Sequence, residues 1–376
     1  MPTPEPLPVP ATPDQLTPDW LTSALRGSGH LPHGTVRSVS ATTIGSGHGF
    51  TGVVTRLRPA YYGLAAGPPP PATMVAKLPT AEPPVPSGHR TRQRADPAAA
   101  DRFYQRCARE VRFYRELAGA VGTGAPRCYH AAADPDRHRV VLLLEDLTGG
   151  RVGDALAGST PEQAGATLDT VAGLHARWWR QPPPGWVPRL ITDPAAGQIW
   201  FADRAARFLA QHADRVPPPV RDLVDTLRGS FGEVLAELAR APATVLHADL
   251  HPDNAVFDPP GRPVAILDWQ TVSYGPAVVD VAEALFASLP VPDRRAHQDR
   301  LLERYVATLA GHGVAGYPVD RLRRDLRLVL PRLLAGRVAW LAGTDPESLS
   351  GRERALVEAA FGDGRLVAAL QDHHLI

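Results

Sequence analysis

The sequence is almost without lysine, poor in cysteine and methionine, and free of long apolar segments. Its 376 residues include two cysteines, two methionines and 40 basic residues, of which only Lys77 is a lysine. The 39 acidic residues leave a net charge of +1, which argues against a nucleic-acid binder that depends on bulk charge. Apolar runs such as Val140–Leu144 are far shorter than the ~20 residues of a membrane span, so no membrane span is predicted.

The cysteines and the N-terminus indicate the compartment. Cys107 and Cys128 form no C-x-x-C pair, so we expect two reduced thiols rather than a disulfide or a metal site. The first ten residues carry neither a basic region nor an apolar core. No signal peptide is therefore predicted, and a cytoplasmic location is expected.

The predicted elements change in kind along the chain. A proline-rich, extended or disordered tail is expected over residues 1–16. Alternating β-rich stretches, one long helix and one buried strand follow, at residues 36–44, 53–57, 74–78, 98–118 and 140–144. After these the periodicity is mostly helical, apart from a strand–loop–strand segment at 244–268. The order predicts an α+β chain with an N-terminal domain over 17–145 and a C-terminal domain over 146–376.

The segment that ends at Asn254 and the strand that ends at Asp268 carry the strongest chemical signal. Asn254 and Asp268 offer oxygen ligands, which Mg²⁺ prefers. Asp249, five residues before Asn254, is placed to accept a proton from an attacking hydroxyl. Ordinary turns at strand ends, such as Asp258-Pro-Pro-Gly, are the alternative explanation for each acidic residue taken singly.

The order of these residues resembles the catalytic loop and metal loop of protein-kinase-like phosphotransferases. With H-x-D at His247 and D-W-Q at Asp268, the chain is similar to the aminoglycoside phosphotransferase and choline-kinase-like superfamily. The segments D-W-Q, L-E-D-L, R-F-Y-R-E-L and T-P-D-W-L resemble its ecdysteroid-kinase-like, CHK-type subgroup. The resemblance implies that Asp249 is the catalytic aspartate, that Asn254 and Asp268 hold the metal, and that His247 and Asp280 brace the loop.

The same resemblance implies a fold and its cofactors. The expected fold is bilobal and protein-kinase-like, with a small antiparallel-sheet N-lobe that carries one long helix and with a mainly helical C-lobe. The expected cofactors are ATP and Mg²⁺.

Lys77 and Glu110 are a second candidate pair. The segment Met74–Leu78 resembles the kinase strand that presents its lysine to the ATP phosphates. Glu110 falls on the apolar face of the long helix, where an unpaired carboxylate is costly, so it is predicted to pair with Lys77. An exposed strand lysine, and a pair between Glu110 and an arginine of its own helix, are the alternatives.

A glycine-rich turn joins the first two predicted strands. Gly47, Gly49 and Gly52 satisfy G-x-G-x-x-G, but a strand at 53–57 follows them where a dinucleotide-binding turn needs a helix. A glycine loop between two strands is typical of the kinase hairpin that covers the phosphates, and Gly45 is assigned to it with the other three. An ordinary flexible hairpin is the alternative.

Together these residues predict an ATP-dependent O-phosphotransferase that acts on a hydroxyl of a small organic molecule, such as a sugar, polyol, antibiotic or lipid-like alcohol. A monomer or homodimer without a nucleic-acid partner is expected. The alternative within this class is an antibiotic-resistance phosphotransferase of the aminoglycoside or macrolide type. A pseudokinase scaffold is disfavoured by the intact Lys77, Asp249, Asn254 and Asp268, and a protein kinase by the missing H-R-D arginine and A-P-E segment.

Overall fold

The computed structural model describes residues 7–44, 53–79, 97–212, 216–344, 349–361 and 364–376. These residues fold into two compact units. The first unit holds the described residues up to Gly149 together with Asp268–Gln270, and the second unit holds the remainder.

The first unit is built on a five-stranded antiparallel sheet with the strand order β1-β2-β3-β5-β4. The strands are β1 (Thr35–Ile44), β2 (Val53–Tyr62), β3 (Met74–Leu78), β4 (Cys128–Asp134) and β5 (Arg139–Glu145). The helices are α1 (Pro18–Gly27), α2 (Pro97–Glu116) and α3 (Ala118–Val121), with short 3₁₀ turns at Pro13–Gln15 and Gly122–Gly124. The prediction of an antiparallel-sheet N-terminal part with one long helix is confirmed.

The alternation of β3 places its residues on two faces of the sheet. Met74, Ala76 and Leu78 are buried in one apolar core together with residues of α1, such as Leu21. Successive strand side chains point to opposite faces, so Lys77 projects from the other face of this sheet.

The start of the chain differs from the predicted tail. Val9 and Leu16 are buried in the same apolar core, and the indole nitrogen of Trp20 donates to the carbonyl of Pro8 at 2.8 Å. The tail is packed from residue 7 onwards because it supplies these apolar side chains. Helix α1 begins as the sequence predicts, with the Thr17 hydroxyl accepting from the Trp20 backbone N–H.

The second unit is mainly helical, as predicted. Its helices are α4 (Pro161–Arg177), α5 (Pro194–His212), α6 (Pro218–Leu238), α7 (Val278–Ala282), α8 (Val291–Gly311), α9 (Val319–Ala342), α10 (Gly351–Phe361) and α11 (Arg365–Asp372). A π-helical turn spans Glu283–Ala287, and a 3₁₀ turn spans Pro252–Asn254. A further 3₁₀ turn, Trp269–Thr271, includes two residues of the first unit and one of the second. Among the described residues, no helix has the length and apolarity to cross a membrane.

Two small sheets of the second unit frame its loops. Strands β6 (Arg151–Val152), β8 (Ala255–Phe257) and β9 (Val264–Ile266) form one sheet, and β7 (Ala243–Leu246) pairs with β10 (Ser273–Pro276) in the other. The chain leaves β7 directly into the segment His247–Asn254, which we call the catalytic loop.

Both cysteines are free thiols, as the sequence predicts. Cys107 is buried on α2, and its burial raises the pKa of the thiol to about 12. Burial likewise raises the pKa of Cys128 to about 12, so neither thiol is a reactive thiolate at neutral pH.

Candidate active site

In the first unit, Lys77 lies between two carboxylates. Its ammonium Nζ is 2.7 Å from Glu110 Oε2 and 2.7 Å from Asp268 Oδ1. The side chains of Lys77, Glu110 and Asp268 are 13%, 1% and 30% exposed. We call these three residues the lysine cluster. The structure thus shows the predicted contact between Lys77 and Glu110 and adds Asp268 to it.

The charges of the lysine cluster depend on one another. Burial by itself lowers the pKa of Lys77, but the carboxylates of Asp268 and Glu110 outweigh that effect and hold the pKa above its ordinary value. Lys77 is therefore an ammonium at every physiological pH. Glu110 is the most buried of the three, and burial raises its pKa. The ammonium is what makes a buried carboxylate tolerable at this position.

The two residues after Asp268 are also fixed in the first unit. Trp269 is fully buried and stacks on Phe113 of α2, with ring centroids 3.9 Å apart and planes 7° apart. The carbonyl of Gln270 accepts from the Arg109 guanidinium at 3.3 Å. Three consecutive residues of the D-W-Q segment are thus held by β3 and α2, which fixes the carboxylate of Asp268.

The glycine loop cannot be located in the same way. Gly45, Gly47, Gly49 and Gly52 lie outside the described residues. Their assignment to the phosphates remains a prediction.

In the second unit, the catalytic loop brings Asp249 and Asn254 together. The Asn254 amide nitrogen donates to the carbonyl oxygen of Asp249 at 2.9 Å and is 3.4 Å from its carboxylate Oδ2. The other carboxylate oxygen of Asp249 lies 3.6 Å from Nε2 of His251. The Asp249 side chain is 39% exposed, so a substrate hydroxyl can approach it.

The electrostatics around Asp249 favour the carboxylate. Burial alone raises the pKa of Asp249, but the hydrogen bond and charge of His251, with a smaller effect of the charge of Arg337, lower it to about 2. Asp249 is therefore ionised across the physiological range and able to accept a hydrogen bond. Burial lowers the pKa of His251, yet its contact with Asp249 raises it above the ordinary value.

His247 connects the catalytic loop to the strand β9 end. Its Nδ1 accepts from the Asp249 backbone N–H at 3.3 Å, which fixes the tautomer that carries the proton on Nε2. Nε2 then donates to the Leu267 carbonyl at 2.8 Å. Leu267 is the residue before Asp268, and its own N–H donates to the Asn254 carbonyl at 2.7 Å. His247 thus braces the loop against the end of β9.

Asp280 of α7 also anchors the catalytic loop. Its two carboxylate oxygens accept from the backbone N–H groups of His247 and Ala248, each at 2.8 Å. His175 Nε2 lies 3.1 Å from the same carboxylate, and Asp280 and His175 are fully buried. Ala248 has φ 65°, a left-handed conformation that costs a non-glycine residue about 1–2 kcal/mol. The hydrogen bonds to Asp280 stabilise this strained turn, which orients Asp249.

The donor set fits a magnesium ion. All the hydrogen bonds of the Asn254 side chain within the described residues use the amide nitrogen, which leaves its carbonyl oxygen for a cation. Asp268 gives one of its two carboxylate oxygens to Lys77. In the described part of the chain no group of three or more His, Cys, Asp or Glu residues forms a metal cage. Amide and carboxylate oxygens are ligands that Mg²⁺ accepts, so each of these two side chains, taken by itself, fits its predicted role.

Sequence reasoning missed three contributors to these clusters. The strained Ala248 leaves no mark in composition or periodicity. His251 belongs to the motif but was given no role. Phe113, which is fully buried against Trp269, was also given no role. The aromatic residue in D-W-Q was the only signal that could have indicated such a partner.

Comparisons with known proteins agree with this arrangement. A model of the phosphotransferase enzyme family (APH) matches residues 93–322. An uncharacterised kinase-like protein of Caenorhabditis elegans is 25% identical over 240 residues, which are 58% of this chain and 61% of that protein. The chain thus matches only about three fifths of the length of this curated relative.

Solved structures share the fold at low identity. Choline kinase from Cryptosporidium parvum Iowa II is 10% identical with a TM-score of 0.54, covering 90% of this chain and 89% of that one. The GDP complex of wild-type aminoglycoside 2'-phosphotransferase-IIIa is 15% identical with a TM-score of 0.53, covering 90% and 96%. The predicted α+β kinase-like fold is therefore confirmed.

Proposed function

Because the chain belongs to the phosphotransferase enzyme family, we propose that it transfers the γ-phosphoryl group of ATP to a hydroxyl of a small organic molecule. The observation that carries the proposal is the lysine cluster, in which the one lysine of the chain touches both the buried Glu110 and the metal-loop Asp268. Phosphoryl transfer demands mainly positioned charge, and this cluster supplies an ammonium and a carboxylate in fixed places.

In the proposed reaction Lys77 binds phosphate oxygens of ATP. Glu110 holds its ammonium from the α2 side, so the lysine needs little reorganisation when the nucleotide arrives. Asn254 and Asp268 are the residues that would hold Mg²⁺. When bound, Mg²⁺ neutralises charge on the phosphate oxygens.

Asp249 is the proposed acceptor of the hydroxyl proton. A carboxylate whose pKa is about 2 is a weak base for an alcohol, so its first effect is to orient the hydroxyl by accepting its hydrogen bond. In a loose transition state the proton becomes acidic only as its oxygen bonds to phosphorus, and it then passes to Asp249. The hydrogen bond from Asn254 to the Asp249 carbonyl fixes the proposed metal ligand relative to the proposed proton acceptor.

The charges near Asp249 disfavour a polycationic acceptor. Burial raises the pKa of Asp249, and the positive charges that lower it include those of His251 and Arg337. Arg332 lies on α9 with Arg337. Burial lowers the pKa of Arg332, the charge of Glu283 opposes that effect, and the charge of Arg337 adds to it. Glu283 pairs with Arg337 at 3.1 Å and its charge also acts on Arg332, so one glutamate stands against two arginines. The remaining positive charge disfavours a bound polycation, and we infer a neutral or weakly charged acceptor rather than an aminoglycoside.

An ADP-release screen over sugars, polyols, lipid-like alcohols, macrolides and aminoglycosides tests the proposal. Acceptor-dependent ADP release is expected for a neutral member, and Asp249→Asn is expected to lower it about 10²- to 10⁴-fold. Asp258→Asn is the matched control, because Asp258 is 63% exposed, pairs with Arg151, and has a left-handed φ of 52° that asparagine tolerates. Full turnover in Asp249→Asn would reject the catalytic assignment, and an aminoglycoside as best acceptor would reject the charge reasoning.

A further inference from the structure

A C-terminal arginine contacts the catalytic loop. In the second unit, Arg352 of α10 directs one guanidinium nitrogen, Nη2, to both carboxylate oxygens of Asp253, at 2.8 and 2.9 Å. The same nitrogen lies 2.9 Å from Oδ1 of Asp154. The Asp253 side chain is 10% exposed and that of Arg352 is 23% exposed. Asp253 immediately precedes Asn254, so this ion pair ends one residue from the proposed metal ligand.

The residues around Asp253 depend on contacts from outside the loop. The turn Pro252–Asn254 is only three residues long, and the Asn254 N–H closes it on the His251 carbonyl at 2.9 Å. Asp253 adds a longer-range contact, because its Oδ1 accepts from the Ala155 backbone N–H at 2.7 Å. So short a turn has little stability of its own, and the contacts of Asp253 add to those that Leu267 and Asp249 make with Asn254.

A second C-terminal arginine fixes the segment that Asp253 binds. One nitrogen of Arg365, Nη1, lies 2.6 Å from the carbonyl of Ala155, and the other, Nη2, lies 2.8 Å from that of Leu156. Nη1 also lies 3.1 Å from the Ala287 carbonyl. Segment 154–156, to which Arg352 and Asp253 are tied, is thereby held in place by α11.

These contacts come from a part of the chain that no motif explains. The family match ends at residue 322, before α10 and α11 begin. Arg352 is also distinguished from its neighbour on α10. Arg354 is exposed, and its side chain makes no hydrogen bond or ion pair with the described residues.

We propose that Arg352 is a positioning residue for phosphoryl transfer, and that it acts by fixing Asp253 and thereby the turn that carries Asn254. The expected effect of Arg352 on the reaction rate rests on the proposed function, whereas its expected effect on the turn Pro252–Asn254 does not. Arg352 contacts Asp253 and Asp154 rather than Asn254 or Asp249, so its effect passes through Asp253. Loss of such a supporting contact typically costs about 10- to 100-fold in metal affinity or activity.

Hydrogen exchange of the protein without nucleotide tests the structural consequence. Arg352→Ala is expected to speed exchange of the Ala155 and Asn254 amides about tenfold or more, because the first donates to Asp253 and the second closes the turn. Arg354→Ala is the matched control and is expected to leave both at the wild-type rate. Wild-type exchange in Arg352→Ala would overturn the proposal. If that variant does not fold, Arg352→Lys, which keeps the charge but loses the planar fork, is expected to show a smaller increase at the same amides.

Steady-state kinetics with any acceptor from the screen tests the functional consequence. Arg352→Ala is expected to lower kcat about tenfold or more and to raise the Mg²⁺ concentration for half-maximal rate. KM for ATP at saturating Mg²⁺ is expected to change little, because Lys77 is not among the residues that Arg352 contacts. If Arg352 acts through Asp253, the losses in Arg352→Ala and Asp253→Asn are not additive in the double variant. A rise in KM for ATP alone, or additive losses, would contradict the proposal. Absence of turnover in the wild type would refute the proposed function instead, while hydrogen exchange would still decide the role of Arg352.

Discussion

Replacing Lys77 by methionine isolates the charge balance of the lysine cluster. Methionine keeps the length and the apolar stem of lysine but removes the ammonium that touches Glu110 and Asp268 at 2.7 Å each. Glu110 is then left as a carboxylate that is 1% exposed, with a second carboxylate in the same cluster. Asp268 is 30% exposed and can turn to solvent, so the penalty falls on Glu110.

The expected cost follows from that burial. Removing one partner of a buried ion pair typically costs about 3–5 kcal/mol, because a buried charge is left uncompensated. For a unit of this size the corresponding fall in Tm is on the order of 10 °C. Arg112→Met is the matched control, since Arg112 pairs with Glu116 on the same helix but both side chains are more than 40% exposed. An exposed i,i+4 pair is worth only about 0.3–0.5 kcal/mol.

The stability that Lys77→Met loses is expected to depend on pH. Without the ammonium, burial raises the pKa of Glu110 above its value in the unfolded chain, which is about 4.3. Below pH ~4 the carboxyl is protonated in both states, and the charge contributes no penalty. As pH rises from that value towards the raised pKa of the folded state, the unfolded state alone releases the proton, and stability falls by about 1.4 kcal/mol per pH unit. The deficit of Lys77→Met is therefore expected to be largest near neutral pH and to shrink towards pH 5.

Thermal unfolding of wild type, Lys77→Met, Arg112→Met and Lys77→Met/Glu110→Gln from pH 5 to pH 8 measures this effect. Glutamine has the shape of glutamate without its charge, so the double variant is expected to regain most of the lost stability and to lose the pH dependence. It is expected to remain inactive, because no ammonium faces the phosphates. A deficit that is constant with pH, or one that Glu110→Gln does not relieve, would refute the view that an uncompensated carboxylate is its cause.

Two further predictions concern the catalytic loop. His251→Gln is expected to raise the pKa of Asp249 from about 2 towards its ordinary value, because the raising effect of burial is then less opposed. The acid limb of the kcat/KM profile is expected to move to higher pH. An acid limb that stays in place or moves to lower pH would contradict this reasoning. Ala248 has φ 65°, so Ala248→Gly is expected to stay within about 1 kcal/mol of wild type in urea unfolding, whereas the β-branched Ala248→Val loses about 2 kcal/mol or more. Wild-type stability in Ala248→Val would show that the turn is not strained.

The first unit shows how far local patterns reach. Strand β3 spans Met74–Leu78 as predicted, because alternation of buried and less buried side chains is a local property. Helical spacing likewise places Glu110 on the buried face and Glu116 in solvent, where Glu116 is 41% exposed. Strand β4, Cys128–Asp134, was missed: its alanines have little strand preference, and its conformation is imposed by pairing with β5.

Contacts across long stretches of chain were beyond sequence reasoning. Lys77 and Asp268 are 191 residues apart, and Arg352 and Asp253 are 99 apart. Motif spacing could name Asp268, since a strand ending in aspartate is a local signal, but it could not join Asp268 to Lys77. Arg352 has no such signal, because in a chain with 39 arginines one more arginine on a helix looks like any solvated charge. Its role is defined only by the acidic residues that meet it in the folded unit.

Lys77, the one lysine of this arginine-rich chain, occupies a position that suits an ammonium better than a guanidinium. A compact ammonium with three donors satisfies Glu110 and Asp268 at 2.7 Å each and keeps one donor for a phosphate oxygen. A guanidinium is larger and presents five N–H groups in one plane, so a group 13% exposed between β3 and α2 would leave some of them without an acceptor. Arg352, by contrast, lies nearer the surface at 23% exposed, where water can satisfy the remaining donors. Lys77 and Arg352, which each contact two carboxylates, thus differ in kind as their burial differs.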